Sequence, residues 1–243
     1  REIFTARDGF GVRPMYMATL RMASKICWGF SSEMKTFVDL KPLNLKVMDA
    51  GAYSKFGIED GQWQPRFLNK KFTTKNVCID YSLNNDNILR RIRATLVEAV
   101  RKRVFTTERP IACLLSGGLD SSLVAALVNQ CYNKPLQTFS IGMKGSEDLK
   151  YARIMADYLG STHTSIELTE DQFFQSIPET IYAIESYDTT TVRASVGNYL
   201  VSKYIREHSK AKVVFNGDGA DEVAGSYMYF YYANDPLKFD EEC

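Results

Sequence analysis

Apolar positions change their spacing near residue 84. Ahead of it, short mixed runs such as Met15–Ala18 and Cys27–Phe30 are separated by Gly, Pro and Asn, without helical period. That pattern predicts strands and turns. Beyond it, Ile88, Leu89, Ile92, Leu96 and Val100 recur at three- and four-residue steps. This is the spacing of an amphipathic helix, and Asn84, Asn85 and Asp86 suit its N-cap. A short apolar run, 111–115, then reads as a buried strand. A helix follows to about Tyr132, where Asn133-Lys134-Pro135 stops it. A second strand is expected at 136–141 and a helix at 146–159, closed by Gly160. A third strand is expected at 162–168. Thr169 and Gln172 have the spacing of a capping box before another helix. The segment 187–194 lacks clear periodicity and reads as a loop before a helix at 195–208, and a fourth strand falls at 213–215. Strands alternating with helices predict an α/β fold with a parallel sheet. Ligands of such sheets sit beyond the carboxyl ends of the strands. The loops after 111–115, 136–141 and 213–215 are therefore expected on one rim.

Candidate chemistry concentrates on that rim. Ser116-Gly117-Gly118-Leu119-Asp120-Ser121-Ser122 joins the first strand to its helix. Two glycines let the backbone turn tightly. Successive N–H groups can form a concave nest for an anion, and a helix N-terminus points its positive end there. The alternative is a plain polar turn with an N-cap. Asp120 would repel phosphates unless a cation intervenes. Magnesium resolves the conflict, because it binds through one or two carboxylates plus substrate phosphates. No Walker loop and no Gly-x-Gly-x-x-Gly after a strand occurs in the chain, so the readings attached to those motifs fall. Asn216-Gly217-Asp218-Gly219-Ala220-Asp221-Glu222 places three carboxylates in a glycine-bearing turn. Crowded carboxylates need a metal or a cationic partner. Asp120 and Asp221 are the candidate magnesium ligands. Leu114 and Ile141, near the strand ends, could flank the apolar face of a ligand or serve simply as core. Arg193 could clamp a phosphate or carboxylate bidentately.

Length and composition narrow the classes. The 243 residues suffice for one large or two modest domains. A net charge of +1 gives no electrostatic footprint for nucleic acid or an anionic membrane. The basic cluster Arg90, Arg91, Arg93, Arg101, Lys102 and Arg103 is expected on solvated helix faces. No apolar run approaches the ~20 residues that span a bilayer. The five cysteines, Cys27, Cys78, Cys113, Cys131 and Cys243, are scattered and form no Cys-x-x-Cys. A reduced, cytoplasmic protein is expected. With two histidines and no paired spacing, a structural zinc site is not expected.

The serine-glycine loop resembles the pyrophosphate loop of the ATP pyrophosphatase family. Further stretches sharpen the likeness: GMKGSED at 142–148, YDTTTVRAS at 187–195, NGDGADE at 216–222, and the opening RDGFGVRP at 7–14 with SEMK at 32–35. In this order they resemble glutamine-hydrolysing asparagine synthetases over almost the full chain, more weakly from about 54 to 74. The resemblance implies an adenine nucleotide alpha hydrolase-like domain at 84–243, truncated at its C-terminus. Ahead of it, residues 1–76 would be the C-terminal part of an N-terminal-nucleophile glutaminase domain.

The implied reaction joins ATP and aspartate into β-aspartyl-AMP, which ammonia from glutamine converts to asparagine. The glutaminase cysteine would lie upstream of Arg1, and the chain reads as a fragment of a longer protein. The resemblance assigns ATP contacts to Leu114, Ser116, Gly117, Gly118, Asp120, Ser121, Ser122, Ile141, Asn216 and Gly217. It assigns catalytic roles to Asp218, Arg193, Thr190 and Thr191. Asp218 stands where the family usually carries glutamate, and Ala220 and Ser226 where it more often has serine and glycine. Related adenylating amidotransferases, β-lactam synthetases and a catalytically impaired nucleotide-binding fragment are the alternatives. A homodimer stays open.

Overall fold

The computed structural model describes residues 1–72, 84–232, 235, 237 and 238. Cys78 and Cys243 lie outside them. The chain divides into two compact units, Arg1–Tyr81 and Ser82–Cys243.

The first unit holds two three-stranded antiparallel sheets. One has the order β1 (Glu2–Ala6), β5 (Ala52–Glu59), β6 (Gln62–Lys71). The other has the order β3 (Lys25–Ser31), β2 (Tyr16–Met22), β4 (Asn44–Val47). Alternation along β2 buries Ala18 and Leu20 on one face, with Phe37 of a short 3-10 helix. Trp28 and Phe30 of β3 meet Phe56 of β5, ring centroids 5.1 and 5.2 Å apart. These aromatic contacts join the two sheets, since tilted and edge-on pairs bury large apolar area. Arg7, in the opening motif, donates to the carbonyls of Arg13, Met48 and Gly11 at 2.9, 2.8 and 2.7 Å. Its guanidinium thus holds the loop that follows β1.

The second unit is a four-stranded parallel sheet of order β10 (Val213–Phe215), β7 (Ile111–Leu114), β8 (Gln137–Met143), β9 (Thr162–Leu168). The helices are α1 (Asn85–Phe105), α2 (Leu119–Cys131), α3 (Glu147–Leu159), α4 (Glu170–Gln175), α5 (Ile177–Ile184), α6 (Thr189–His208) and α7 (Ala220–Ala224). Both sheet faces are covered, as parallel sheets require. On one face Ile111 and Cys113 pack with Val100 and Val104 of α1, Val128 of α2 and Ala152 and Ala156 of α3. On the other, Ala112, Phe139 and Ile166 pack with Val201 and Ile205 of α6. Cys113 is fully buried, which pushes its thiol up to about 12.

Local signals set the helix ends. The Asn84 side chain accepts from the Asn87 N–H at 2.9 Å. Thr169 and Gln172 form the reciprocal capping box, and Gly160 ends α3 with φ of 64°. The expected single helix after Thr169 is two, because Ser176 starts a new turn and Pro178 lies in the first turn of α5. The expected loop at 187–194 is mostly helix. α6 begins at Thr189, because the Asp188 carboxylate accepts from the Thr191 N–H and hydroxyl, both at 2.8 Å. An N-cap overrides the weak helix propensity of three threonines.

One polar patch lies inside the sheet. His163 of β9 meets Thr138 Oγ1 at 2.9 Å through Nδ1 and Ser140 Oγ at 3.1 Å through Nε2. Burial, with Arg153 of α3 nearby, pulls the imidazole down to about 4.

Candidate active site

The strand order reverses at β7: β8 lies on one side of it and β10 on the other. Loops that leave neighbouring strands at such a switch point diverge and open a crevice. Here the two loops are the serine-glycine loop after β7 and the acidic loop after β10. They enclose a cavity of about 480 Å³.

The serine-glycine loop is held by its own hydroxyls. Ser121 Oγ accepts from the Ser116 N–H at 3.2 Å, lies 2.9 Å from Ser116 Oγ and donates to the Gly118 carbonyl at 3.2 Å. Ser116 Oγ accepts from the Gly118 N–H at 3.3 Å. Gly117 has φ of +82°, and a Cβ there would lie 2.4 Å from the Tyr151 carbonyl carbon. Glycine is therefore required twice, by conformation and by the approach of α3. Gly118 is the N-cap of α2 and supplies no side chain, so the first N–H groups of that helix lack a side-chain cap.

The acidic loop is held by neutral donors. Asn216 Nδ2 donates to Asp218 Oδ2 at 2.8 Å. Ser226 Oγ donates to Asp221, and Tyr227 Oη donates to Glu222 Oε1 at 2.6 Å. Donating to the Glu222 carboxylate pushes the Tyr227 phenol up to about 12.

Leu114, Ser116, Gly118, Asp120, Ser121, Asn216, Gly217, Asp218 and Asp221 all line the cavity. Gly117 and Ser122 belong to the same loop but do not line it. Ile141 lines a neighbouring hollow of about 550 Å³ with Gly142, Ser146 and Phe173. Arg193 lies in an apolar hollow of about 510 Å³ with Phe174, Ile181 and Tyr187. Thr190 and Thr191 line none of these; Thr191 is engaged in the cap of α6. Sequence reasoning missed Ala194, Ser195, Asn198 and Tyr227, which complete the wall of the cavity between the two loops. Ser195 and Asn198 are three residues apart on α6, so a helix read from Thr189 would have found them on one face.

Four carboxylates, Asp120, Asp218, Asp221 and Glu222, line this cavity, and among the described residues no Lys or Arg does. Such a site calls for imported positive charge. No group of three or more His, Cys, Asp or Glu among the described residues forms a metal cage. A partial oxygen donor set fits a hard cation that completes its shell from phosphate oxygens and water.

Asparagine synthetase [glutamine-hydrolyzing] of Homo sapiens is 38% identical over 263 residues, covering 100% of this chain and 46% of the relative. The Cricetulus griseus and Gallus gallus proteins of the same name are each 37% identical, with the same coverage of this chain. The chain thus spans about half the length of the curated relatives it matches. Among solved structures, an NH3-dependent NAD synthetase from Campylobacter jejuni aligns at TM-score 0.41 and 18% identity, covering 55% of this chain and 58% of that one. A glutamine-dependent NAD+ synthetase from Acinetobacter baumannii aligns at TM-score 0.44 and 16% identity, covering 76% and 33%. Residues 91–240 match the asparagine synthase family, well over half of the chain, and the chain belongs to that family.

Proposed function

We propose that this chain is part of an enzyme that converts aspartate to asparagine at the expense of ATP, through β-aspartyl-AMP. The observation that carries the reading is the shared cavity of the serine-glycine and acidic loops at the switch point of the sheet. One wall offers uncapped helix N–H groups and serine hydroxyls, which suit phosphate oxygens. The facing wall offers carboxylates, which suit a cation.

In this reading Leu114 covers one side of the adenine base. Ser116, Gly118 and Ser121 hold the departing pyrophosphate, exchanging their internal hydrogen bonds for bonds to its oxygens. Asn216 and Gly217 border the nucleotide from the other loop. Asp120 and Asp221 would hold magnesium, which when bound supplies charge neutralisation. The aspartate side-chain carboxylate attacks the α-phosphorus, the bond to the bridging oxygen breaks, and pyrophosphate leaves. Ammonia then adds to the acyl carbon and AMP departs, giving asparagine. Asp218 faces this second step. Arg193 immediately precedes Ala194 of the cavity wall, and its exposed guanidinium would reach a substrate carboxylate or phosphate from the first turn of α6. Ile141 would serve the base from its own hollow.

The first unit we read as the end of a glutaminase domain that supplies ammonia in the complete protein, where the motif pinned by Arg7 is the sequence support. The test uses the full-length protein with aspartate, glutamine, ATP and magnesium. AMP and pyrophosphate should appear only when aspartate is present, with asparagine formed in equal amount. Pyrophosphate release that does not depend on aspartate would overturn the assignment.

A further inference from the structure

The chain turns back on itself just after α7. Gly225, in the left-handed region with φ of 60°, ends that helix. The two residues that follow reach the two carboxylates five positions earlier. Ser226 Oγ donates to Asp221 Oδ1, and the Ser226 N–H donates to the Asp221 carbonyl at 3.1 Å. Tyr227 Oη donates to Glu222 Oε1 at 2.6 Å. The Tyr227 ring is stacked on Tyr229, centroids 5.4 Å apart, and both rings contact Phe230, which is 5% exposed. The clasp is thus anchored in packed side chains, although α7 has only five residues.

Resting on the reading under Proposed function, we propose that Ser226 and Tyr227 are positioning residues that fix the Asp221 and Glu222 carboxylates for the divalent cation carried by the nucleotide. Each hydroxyl occupies one carboxylate oxygen and leaves the other free. On a short helix these two adjacent acids would otherwise sample many rotamers and repel each other. Fixing them removes an ordering cost from cation binding, as outer partners of metal ligands do. Tyr227 itself lines the cavity, so its hydroxyl sets the rim beside Glu222.

The test measures binding of α,β-methylene-ATP to the full-length protein by calorimetry, with Mn2+ and again with a chelator. The wild type should bind more tightly with Mn2+. Ser226→Ala and Tyr227→Phe should each lose about 10-fold of that metal-dependent gain, the range seen for outer-shell partners, and Ser226→Ala, outside the cavity wall, should keep its metal-free affinity. Ser226→Thr, which keeps the hydroxyl, should restore it. An equal loss with and without metal would mark a merely structural role and overturn the inference. A normal gain in both variants, alongside a lost gain in Asp221→Asn, would overturn the clasp and leave the site reading intact. A normal gain in Asp221→Asn, or none in the wild type, would overturn the site reading and this inference together.

Discussion

Gly217 of the acidic loop lies against Ser121 of the serine-glycine loop. A Cβ on Gly217 would fall 2.7 Å from the Ser121 backbone nitrogen and 3.0 Å from the Asp120 carbonyl carbon. The two loops therefore touch backbone to backbone, and the width of the cavity is set by a missing side chain. Gly217→Ala should push them apart. Overpacking of this kind costs about 1–3 kcal/mol, and nucleotide affinity should fall at least several-fold. Calorimetric titration with an ATP analogue, beside a urea unfolding curve, checks both.

Gly117 meets a harder limit. Its φ is +82°, and a Cβ would lie 2.4 to 2.5 Å from the Tyr151 and Ala152 backbone. Neither neighbour is a flexible side chain, so the loop must leave α3. Gly117→Ala should lower unfolding free energy by about 2 kcal/mol or more, combining strain and overpacking. The urea midpoint measures it.

Asp218 is one methylene, about 1.5 Å, shorter than glutamate, and its carboxylate is tied to Asn216 at 2.8 Å. A misplacement of about 1 Å can cost ~100-fold in rate. Asp218→Glu should raise aspartate-dependent AMP formation by about 10-fold or more. A steady-state assay of AMP release decides it, and no increase would remove the shortened side chain as a defect.

Arg193 acts in the proposed reaction through a planar fork that lysine lacks. Arg193→Lys should lower kcat/KM for aspartate by about 10- to 100-fold, while Asp188→Ala, which removes the cap of α6, should cost about 1 kcal/mol of stability. Comparing kinetics and thermal unfolding of the two variants separates chemistry from folding.

His163 gives the pH prediction. Its folded value, about 4, lies below the ordinary 6.5. Above pH 6.5 the ring is neutral whether the chain is folded or not, and its contribution to stability is intact. As pH falls from 6.5 towards 4, the unfolded chain takes up a proton that the folded chain refuses, so stability drops. Thr138 and Ser140 face the ring with neutral hydroxyls, while α3 presents Arg153, which opposes protonation, and Asp157, which favours it. Urea midpoints of wild type and His163→Gln across that window should converge as the pH falls.

Much of the second unit was legible in its residues. β9 spans Thr162–Leu168 as read, the capping box at Thr169 forms, and Gly160 ends α3. Those features depend on local chemistry that a short stretch carries by itself. The start of α6 was not legible, because Thr189, Thr190 and Thr191 are poor helix formers and the decisive contact is one carboxylate, Asp188. The place of Arg193 and Ile141 in separate hollows was hidden too. Which side of a wall a residue lines depends on how α4, α5 and α6 pack, and spacing along the chain does not report that. Five-residue α7 is too short for any period to reveal.

The order of the parallel strands also governs when the cavity comes into being. Its two walls leave β7 and β10, and the whole of β8, β9 and α6 separates them along the chain. Contacts so remote in sequence close late, after local helices have formed. Until Phe215 pairs beside Cys113, the serine-glycine wall has no acidic loop opposite it, and the proposed nucleotide site is incomplete. Any ligand that needs both walls then stabilises only the finished arrangement, and its binding reports that β10 has docked.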